Sequence, residues 1–402
     1  MRLLMANAVP AGVQNASESS VSATFPQFLA MVVLGAAGAY ITVVLPAIVQ
    51  QLVQNVGFTG TQANQVVGAE KFGMMAASLG LTFVIGKLPR RALAVGFLLL
   101  LALANGACAG LSTFAPYAGA RFLCGVAEGG VISIMAASAA ALGVADRVFG
   151  WYLAVTLGIS YAAFQLVIPG VLASSGLSGL FYCMSGLSIL VMACVPFLPA
   201  QQTAQQVANA NARAQGTDTS KGLIAMALGA TLLFEACIGA VWNNITLIAG
   251  KSGYTEAEIG AGLANAMIVG IMAGIASGVV GDKWGRVLPL ALGVGAILVS
   301  QMLLKFAPGQ VSFAVIAMSF FFAWFFTLPY FVGVVAALDV TGRAAVASIV
   351  VQTGGLMVGP LIAGEVIRGN ENYPNILWVG LVTAVLCLAL VLPAAGKRQA
   401  TA

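Results

Sequence analysis

The stretch Gly278-Val279-Val280-Gly281-Asp282-Lys283-Trp284-Gly285-Arg286 lies between two long apolar runs, near 257–281 and 287–306. A second loop, Gly86-Lys87-Leu88-Pro89-Arg90-Arg91, stands 196 residues earlier when Lys87 is aligned with Lys283, and it too separates apolar runs, near 61–86 and 92–112. A loop that recurs with its flanking segments at so long an interval marks an internal repeat. The chain therefore reads as two like halves. Loops at Asp146-Arg147 and from Asp339 to Arg343 echo each other more loosely.

Outward from these loops, apolar runs of spanning length fall near 26–54, 61–86, 92–112, 116–143, 149–173, 177–198, 222–249, 257–281, 287–306, 311–337, 345–367 and 373–394. A spanning helix needs roughly 20 apolar residues, so 402 residues hold about twelve spans and little else. Hydrophobic residues make up 60% and charged ones 7%, with a mean hydropathy of +1.00. Such a chain belongs in a bilayer. The longest polar stretch after the N-terminal one, 201–222, divides the spans into two sets of six. The expected units are a tail 1–24, a six-helix bundle 25–198, a linker 199–221, a second bundle 222–396 and a tail 397–402. The fold class is an all-α integral membrane protein of twelve transmembrane helices in two pseudo-symmetric bundles.

Lys and Arg orient this layout, because short cytoplasmic loops collect positive charge. With both termini inside, the inner side carries Arg2, Lys87, Arg90, Arg91, Arg147, Arg213, Lys221, Lys283, Arg286, Arg343, Lys397 and Arg398. The outer side carries only Lys251, Lys305 and Arg368, while Lys71 and Arg121 fall inside spans. A split of 12 to 3 fixes the expected orientation, with cytoplasmic termini and a plasma-membrane location. The start MRLLMANAVPAG is too short in apolar residues for a signal peptide and reads as a cytosolic tail.

Histidine is absent, which removes the usual neutral-pH base and the commonest metal ligand. Proton chemistry falls to carboxylates. Cys108, Cys124, Cys183, Cys194, Cys237 and Cys387 all lie in apolar runs without a CxxC pair, so free, buried thiols are expected. No cofactor or metal is implied. Dispersed acids and the lack of a nucleophile–base spacing argue against an enzyme, and the lack of a basic tract argues against nucleic acid.

The pattern Gly278xxxAsp282-Lys283-x-Gly285-Arg286 resembles the inner-loop signature of the major facilitator superfamily, and Arg121-Phe122-Leu123-Cys124-Gly125-Val126-Ala127-Glu128-Gly129 resembles its fourth-helix signature. The resemblance implies two bundles rocking around a midplane site. Gly278, Asp282, Lys283, Gly285 and Arg286 would form a cytoplasmic gate, in which Asp282 finds a cation only when the inner ends meet and Gly285 permits the tight turn. The first-half copy has Gly86 where an acid is expected and Pro89 where a glycine is. More narrowly, the fourth-helix motif resembles that of the anion:cation symporter family, with Arg121 and Glu128 at its charged positions. Span 1 has no charge to match that family, and span 7 carries Glu235 in place of a second Arg.

Ionisable residues inside spans are costly unless paired, neutralised or wetted. Glu70 and Lys71 lie near mid-depth in span 2, about 100° apart on the helix, so one is expected to face the cavity and the other a neighbouring helix. Arg121 and Glu128, seven residues apart, share a face at roughly 10 Å axial separation, which leaves partners within the helix and across to Glu70 or Lys71 both open. Gly125 and Gly129 offer a small-xxx-small surface. Glu235 in span 7 has no cation in its own span, and burial favours its neutral form, which suits a proton carrier. Glu365 and Arg368 read as an outer anchor or gate.

The expected proton-coupling residues are Glu128, Glu235 and Glu70. Expected substrate contacts are Arg121, Lys71, Tyr40, Tyr161, Gln165, Trp242, Asn243, Trp324, Tyr330 and Gln352, with Asn244 and Thr353 as further polar neighbours. The Phe320–Phe326 run is expected to face lipid on some sides. A Gly-Pro-x-x-Gly-Gly exporter signature is absent from span 5, where only Gly158, Tyr161, Gln165 and Pro169-Gly170 stand, and this leans toward uptake. The favoured reading is a monomeric, proton-coupled symporter that imports a small organic anion. Its alternative is a proton-driven exporter of amphipathic or cationic compounds.

Overall fold

Lipid offers no partner to backbone N–H and C=O groups, so a spanning chain without a closed barrel must satisfy them within helices. The computed structural model describes residues 23–85, 88–142, 144–199, 221–281, 283–338 and 343–396, and among them the elements are helical throughout. The first half comprises α1 (Phe25–Gln51), α2 (Gly60–Val84), α3 (Arg90–Cys108), α4 (Phe114–Ala141), α5 (Ala145–Ala162) and α6 (Ile168–Val191). The second comprises α7 (Lys221–Asn243), α8 (Ile245–Lys251), α9 (Glu256–Val280), α10 (Val287–Phe306), α11 (Phe313–Leu338), α12 (Arg343–Val366) and α13 (Ile376–Gly396). Most of the expected tail 1–24, the linker 199–221 save its ends, the tail 397–402 and Asp282 lie outside the described residues.

These thirteen helices make twelve spans in two six-helix bundles. Ten stretches are long and apolar enough to cross a membrane, one of which, Arg147–Phe197, is long enough for two crossings. Gly176 divides it, at φ 62° and ψ −161°, a conformation that favours glycine. The 25-residue α2, carrying Glu70 and Lys71, completes the twelve. The seventh crossing is interrupted at Asn244, between α7 and α8. There the side chains of Asn243 and Asn244 donate to the carbonyls of Gly239 and Ala240, satisfying backbone acceptors next to the break.

Three helices start at threonine capping boxes, Thr24 with Gln27, Thr59 with Gln62 and Thr255 with Glu258. Packing between helices depends on bare glycine faces. A Cβ on Gly125 of α4 would lie 1.8 Å from the Glu70 carbonyl oxygen, and one on Gly129 would lie 2.3 Å from that of Met74. The expected small-residue surface therefore exists, and α2 is the helix seated on it. Gly355 and Gly359 of α12 admit α7 equally closely, with Cβ positions 2.5 Å and 2.2 Å from the Leu232 and Ala236 carbonyl oxygens.

Two expectations need correction. Cys108, Cys124, Cys237 and Cys387 are buried free thiols, but Cys183 is exposed and Cys194 half-buried, since a cysteine in an apolar span can face lipid at no polar cost. The aromatic run of α11 faces outward less than expected, with Phe320, Phe321, Trp324, Phe325 and Phe326 buried and only Phe322 half-buried, because α7, α9 and α10 pack around that helix.

The ends of the bundles are named by their share of Lys and Arg. Six hydrogen bonds between described residues join the halves, each toward the cation-poor end. Asn64 and Asn244 exchange amide bonds of 2.9 Å and 2.8 Å. Trp242 Nε1 donates to the Val43 carbonyl at 3.2 Å and Thr246 Oγ1 to that of Pro46 at 3.1 Å. Thr61 Oγ1 donates to the Gly364 carbonyl and the Gly60 amide to Glu371, each at 2.8 Å. The cation-poor end is closed.

Candidate functional site

The close approach of α2 to α4, set by Gly125 and Gly129, brings four charges into one buried cluster in the first bundle. Arg121 Nε donates to Glu70 Oε2 at 2.9 Å, and Nη2 donates to the same oxygen. The remaining guanidinium nitrogen, Nη1, donates to Asn105 Oδ1 of α3 at 3.0 Å. Lys71 Nζ reaches Glu70 Oε1 at 3.2 Å and Thr42 Oγ1 of α1 at 2.8 Å. Glu128 Oε1 stands 4.0 Å from Arg121 Nη2, and Glu128 Oε2 has no hydrogen-bond partner among the described residues. The Phe181 ring of α6 lies 5.8 Å from the guanidinium carbon. Two carboxylates and two cations sum to zero charge. The set is compensated except at one oxygen.

The structure corrects the expectation that Glu70 and Lys71 point apart. Both are fully buried and meet head to head, because the long stems span the 100° between their Cα–Cβ vectors. Arg121 takes its close partner across helices, from Glu70, while Glu128 on its own face stays at the edge of ion-pair distance. Neither Arg121 nor Lys71 is exposed in this state.

In the second bundle Glu235 is buried with Oε2 unpartnered, and the indole N–H of Trp324 points its way without completing a hydrogen bond. Around Trp324 lie Trp242 at 6.2 Å, Phe321 at 5.5 Å and Phe325 at 4.9 Å between ring centres. These buried rings give the acid an apolar surrounding. Glu70, Lys71, Arg121 and Glu128 come together, whereas Glu235 stands apart in the other half.

Of the remaining predicted contacts, Tyr40 of α1 is buried within electrostatic reach of Glu128, Arg121 and Glu70. The others are dispersed, Tyr161 half-buried in α5 and Gln165 exposed in the π-helical segment Ala163–Val167. Asn243 serves its own helix. Tyr330 OH donates to the Ser277 carbonyl at 3.4 Å, and Gln352 Nε2 to Ser348 Oγ at 3.1 Å, both within the second bundle. In the gate loop Gly285 takes φ +66°, Lys283 and Gly278 are exposed, and Arg286 lies beside Gly333 of α11. Glu365 and Arg368 form an exposed ion pair.

Asn105, Thr42 and Asn64 also belong to these contacts and were not singled out in the sequence. Asn105 had a legible signal, a lone amide in an otherwise apolar span, which lipid would not tolerate unpaired. Substituting Asn105→Leu strips Arg121 Nη1 of its acceptor, and a buried donor left unpaired costs about 1–3 kcal/mol. A lower melting temperature in detergent is the expected result. An unchanged melt would mean that Nη1 finds another acceptor.

No curated protein matches this sequence. Solved structures do match it in fold. The nucleoside transporter NupG superposes with a TM-score of 0.73 at 13% identity, over 91% of this chain and 99% of its own. The xylose transporter XylE from E. coli, in a partially occluded inward-open conformation, gives 0.70 at 13% identity over 92% and 97%. A D-xylose-proton symporter gives 0.69 at 11% identity over 92% and 98%. The family profile that matches covers residues 28–360, most of both bundles. With this profile covering most of the chain and twelve helices in two bundles, the chain belongs to the Major Facilitator Superfamily and is a membrane transporter, not an enzyme.

Proposed function

We propose that this chain is a proton-coupled symporter that imports a small organic anion by alternating access, with its cation-rich end in the cytoplasm. The observation that carries this reading is the neutral Glu70–Lys71–Arg121–Glu128 cluster with one carboxyl oxygen unpaired. A proton taken up at Glu128 leaves the cluster with one net positive charge. An anion entering beside it restores neutrality, so proton and anion each favour the other's binding. In this order of events Arg121 and Lys71 stay silent until Glu128 is protonated. The similarity in fold to a D-xylose-proton symporter supports proton coupling as chemistry this fold accommodates.

A second reading has its own support. Glu235, buried without a cation beside it among the described residues and near Trp242, Phe321, Trp324 and Phe325, suits a cationic or amphipathic compound driven outward by protons. Proteoliposome flux under an imposed proton gradient, screened over carboxylates and lipophilic cations, separates the two. Gradient-driven uptake of a carboxylate with no flux of the cations is expected. Flux of cations alone would establish the second reading, and flux indifferent to the proton gradient would remove both.

A further inference from the structure

Among the six bonds that close the cation-poor end, one is held by a residue in an unfavourable conformation. Glu371, between α12 and α13, has φ +47°, the one positive value outside glycine among the described residues. A side chain rarely adopts that region unless its surroundings hold it there. What holds it is specific. Oε1 accepts the backbone N–H of Gly60, first residue of α2 in the opposite bundle, at 2.8 Å, and Oε2 accepts the hydroxyl of Tyr373 at 3.3 Å. Gly60 is itself fitted to this contact, since a Cβ there would lie 2.6 Å from the Tyr373 hydroxyl and 2.7 Å from Ile367 Cδ1. The acceptor thus caps the positive end of a 25-residue helix that belongs to the other half of the protein.

We infer that Glu371 is a proton-released latch on the cation-poor mouth, so that acid on that side opens the mouth. As a carboxylate, Glu371 offers acceptors to the Gly60 N–H and to the Tyr373 hydroxyl and draws a charge-assisted bond from the α2 terminus. Protonated, it loses the charge and one acceptor position. The mouth is then held by the Asn64–Asn244 amide pair and the three bonds to backbone carbonyls, none of which titrates. A surface cleft of about 520 Å³, lined by Thr59, Thr61, Gln65, Arg368, Gly369 and Glu371, gives water a route to the carboxyl. The charged or titratable groups facing this region are Arg368 and its partner Glu365 at the end of α12, Tyr373, Lys305 of α10, which donates to the Pro374 carbonyl, and Lys251 of α8. The N-terminal turn of α2 contributes only Thr and Gln side chains. Glu371 is therefore the acid of this group whose charge state joins the two bundles. The inference is independent of what is transported.

The test is a distance distribution across the mouth, by electron spin labels on Asn55→Cys and Ala257→Cys in a Cys183→Ser background. It uses the full chain in lipid nanodiscs at about pH 7.5 and about pH 3, on either side of the usual carboxylate range. Glu128→Gln is added throughout to remove the proposed coupling proton. A short-distance population that gives way to a longer one in acid is expected. In Glu371→Gln the longer population should be present at both pH values, with the acid response lost. In Asn244→Ala the longer population should grow while the acid response persists. If Glu371→Gln keeps the response, or if Asn244→Ala abolishes it, the latch is not Glu371. Should Glu371→Gln fail to fold, hydrogen exchange at the Gly60 amide of the unsubstituted chain decides the point. Protection corrected for intrinsic rate should fall in acid, and constant protection overturns the inference.

Discussion

Glu128→Gln is expected to produce a carrier that still exchanges its substrate across the membrane but no longer concentrates it. The reason lies in the bookkeeping of the buried cluster, where Glu128 is the acid with an unpaired oxygen and therefore the one that can take a proton without breaking an existing bond. Glutamine fixes the state that protonation creates, one net positive charge with a neutral group beside it, so substrate binds and leaves with no proton to move. For one proton per anion, accumulation should reach about tenfold per pH unit of gradient in the unsubstituted chain, and fall to about one in the variant. Counterflow of labelled substrate should survive. The comparison with Glu70→Gln sharpens the test, because Glu70 answers both Arg121 and Lys71, and its loss leaves two buried cations short of a partner. Breaking such a pair costs about 3–5 kcal/mol, so Glu70→Gln should chiefly reduce folded yield. Normal accumulation by Glu128→Gln would move the coupling site to Glu235.

Gly125→Val is expected to abolish the folded protein, although it is a small apolar change in an apolar helix. Its Cβ would overlap the Glu70 carbonyl at 1.8 Å and press on the Met74 backbone at 3.0 Å, and backbone cannot swing aside as a side-chain tip can. Overpacking of this kind costs about 1–3 kcal/mol where side chains can yield, and more where they cannot. Moving α2 off α4 would also part Arg121 from Glu70. Gly119→Ala on the same helix is the control, since a Cβ there meets nothing within 4 Å. Thermal unfolding of both in detergent should show Gly119→Ala unchanged or slightly stabilised by its better helix propensity. Equal behaviour of the two would mean that the helices are not in this contact.

Membrane residence, the number of spans and the repeat were all legible in the sequence, because hydrocarbon forces one solution on the backbone and the apolar runs are long enough to count. Six spans to a half followed from the polar stretch at 201–222, and the family from two loop and helix signatures. Buried charge was legible as well, in that Glu70, Lys71, Arg121 and Glu128 had to find partners somewhere. Which partners was decided only by the tertiary structure. Helix periodicity orders residues around one axis, whereas the Arg121–Glu70 bond depends on how near α2 comes to α4, and Asn105 enters from a third helix whose rotation no local pattern fixes. The same limit applies to the aromatic run of α11, which reads as lipid-facing on some sides from hydropathy alone and is buried except at half-buried Phe322 because neighbouring helices pack around it. Glu371 carried no signal at all, a lone acid in a loop. Its contact with Gly60 spans 311 positions of sequence and exists because the two halves close on each other, a relation that lies between bundles and in no single stretch of the chain.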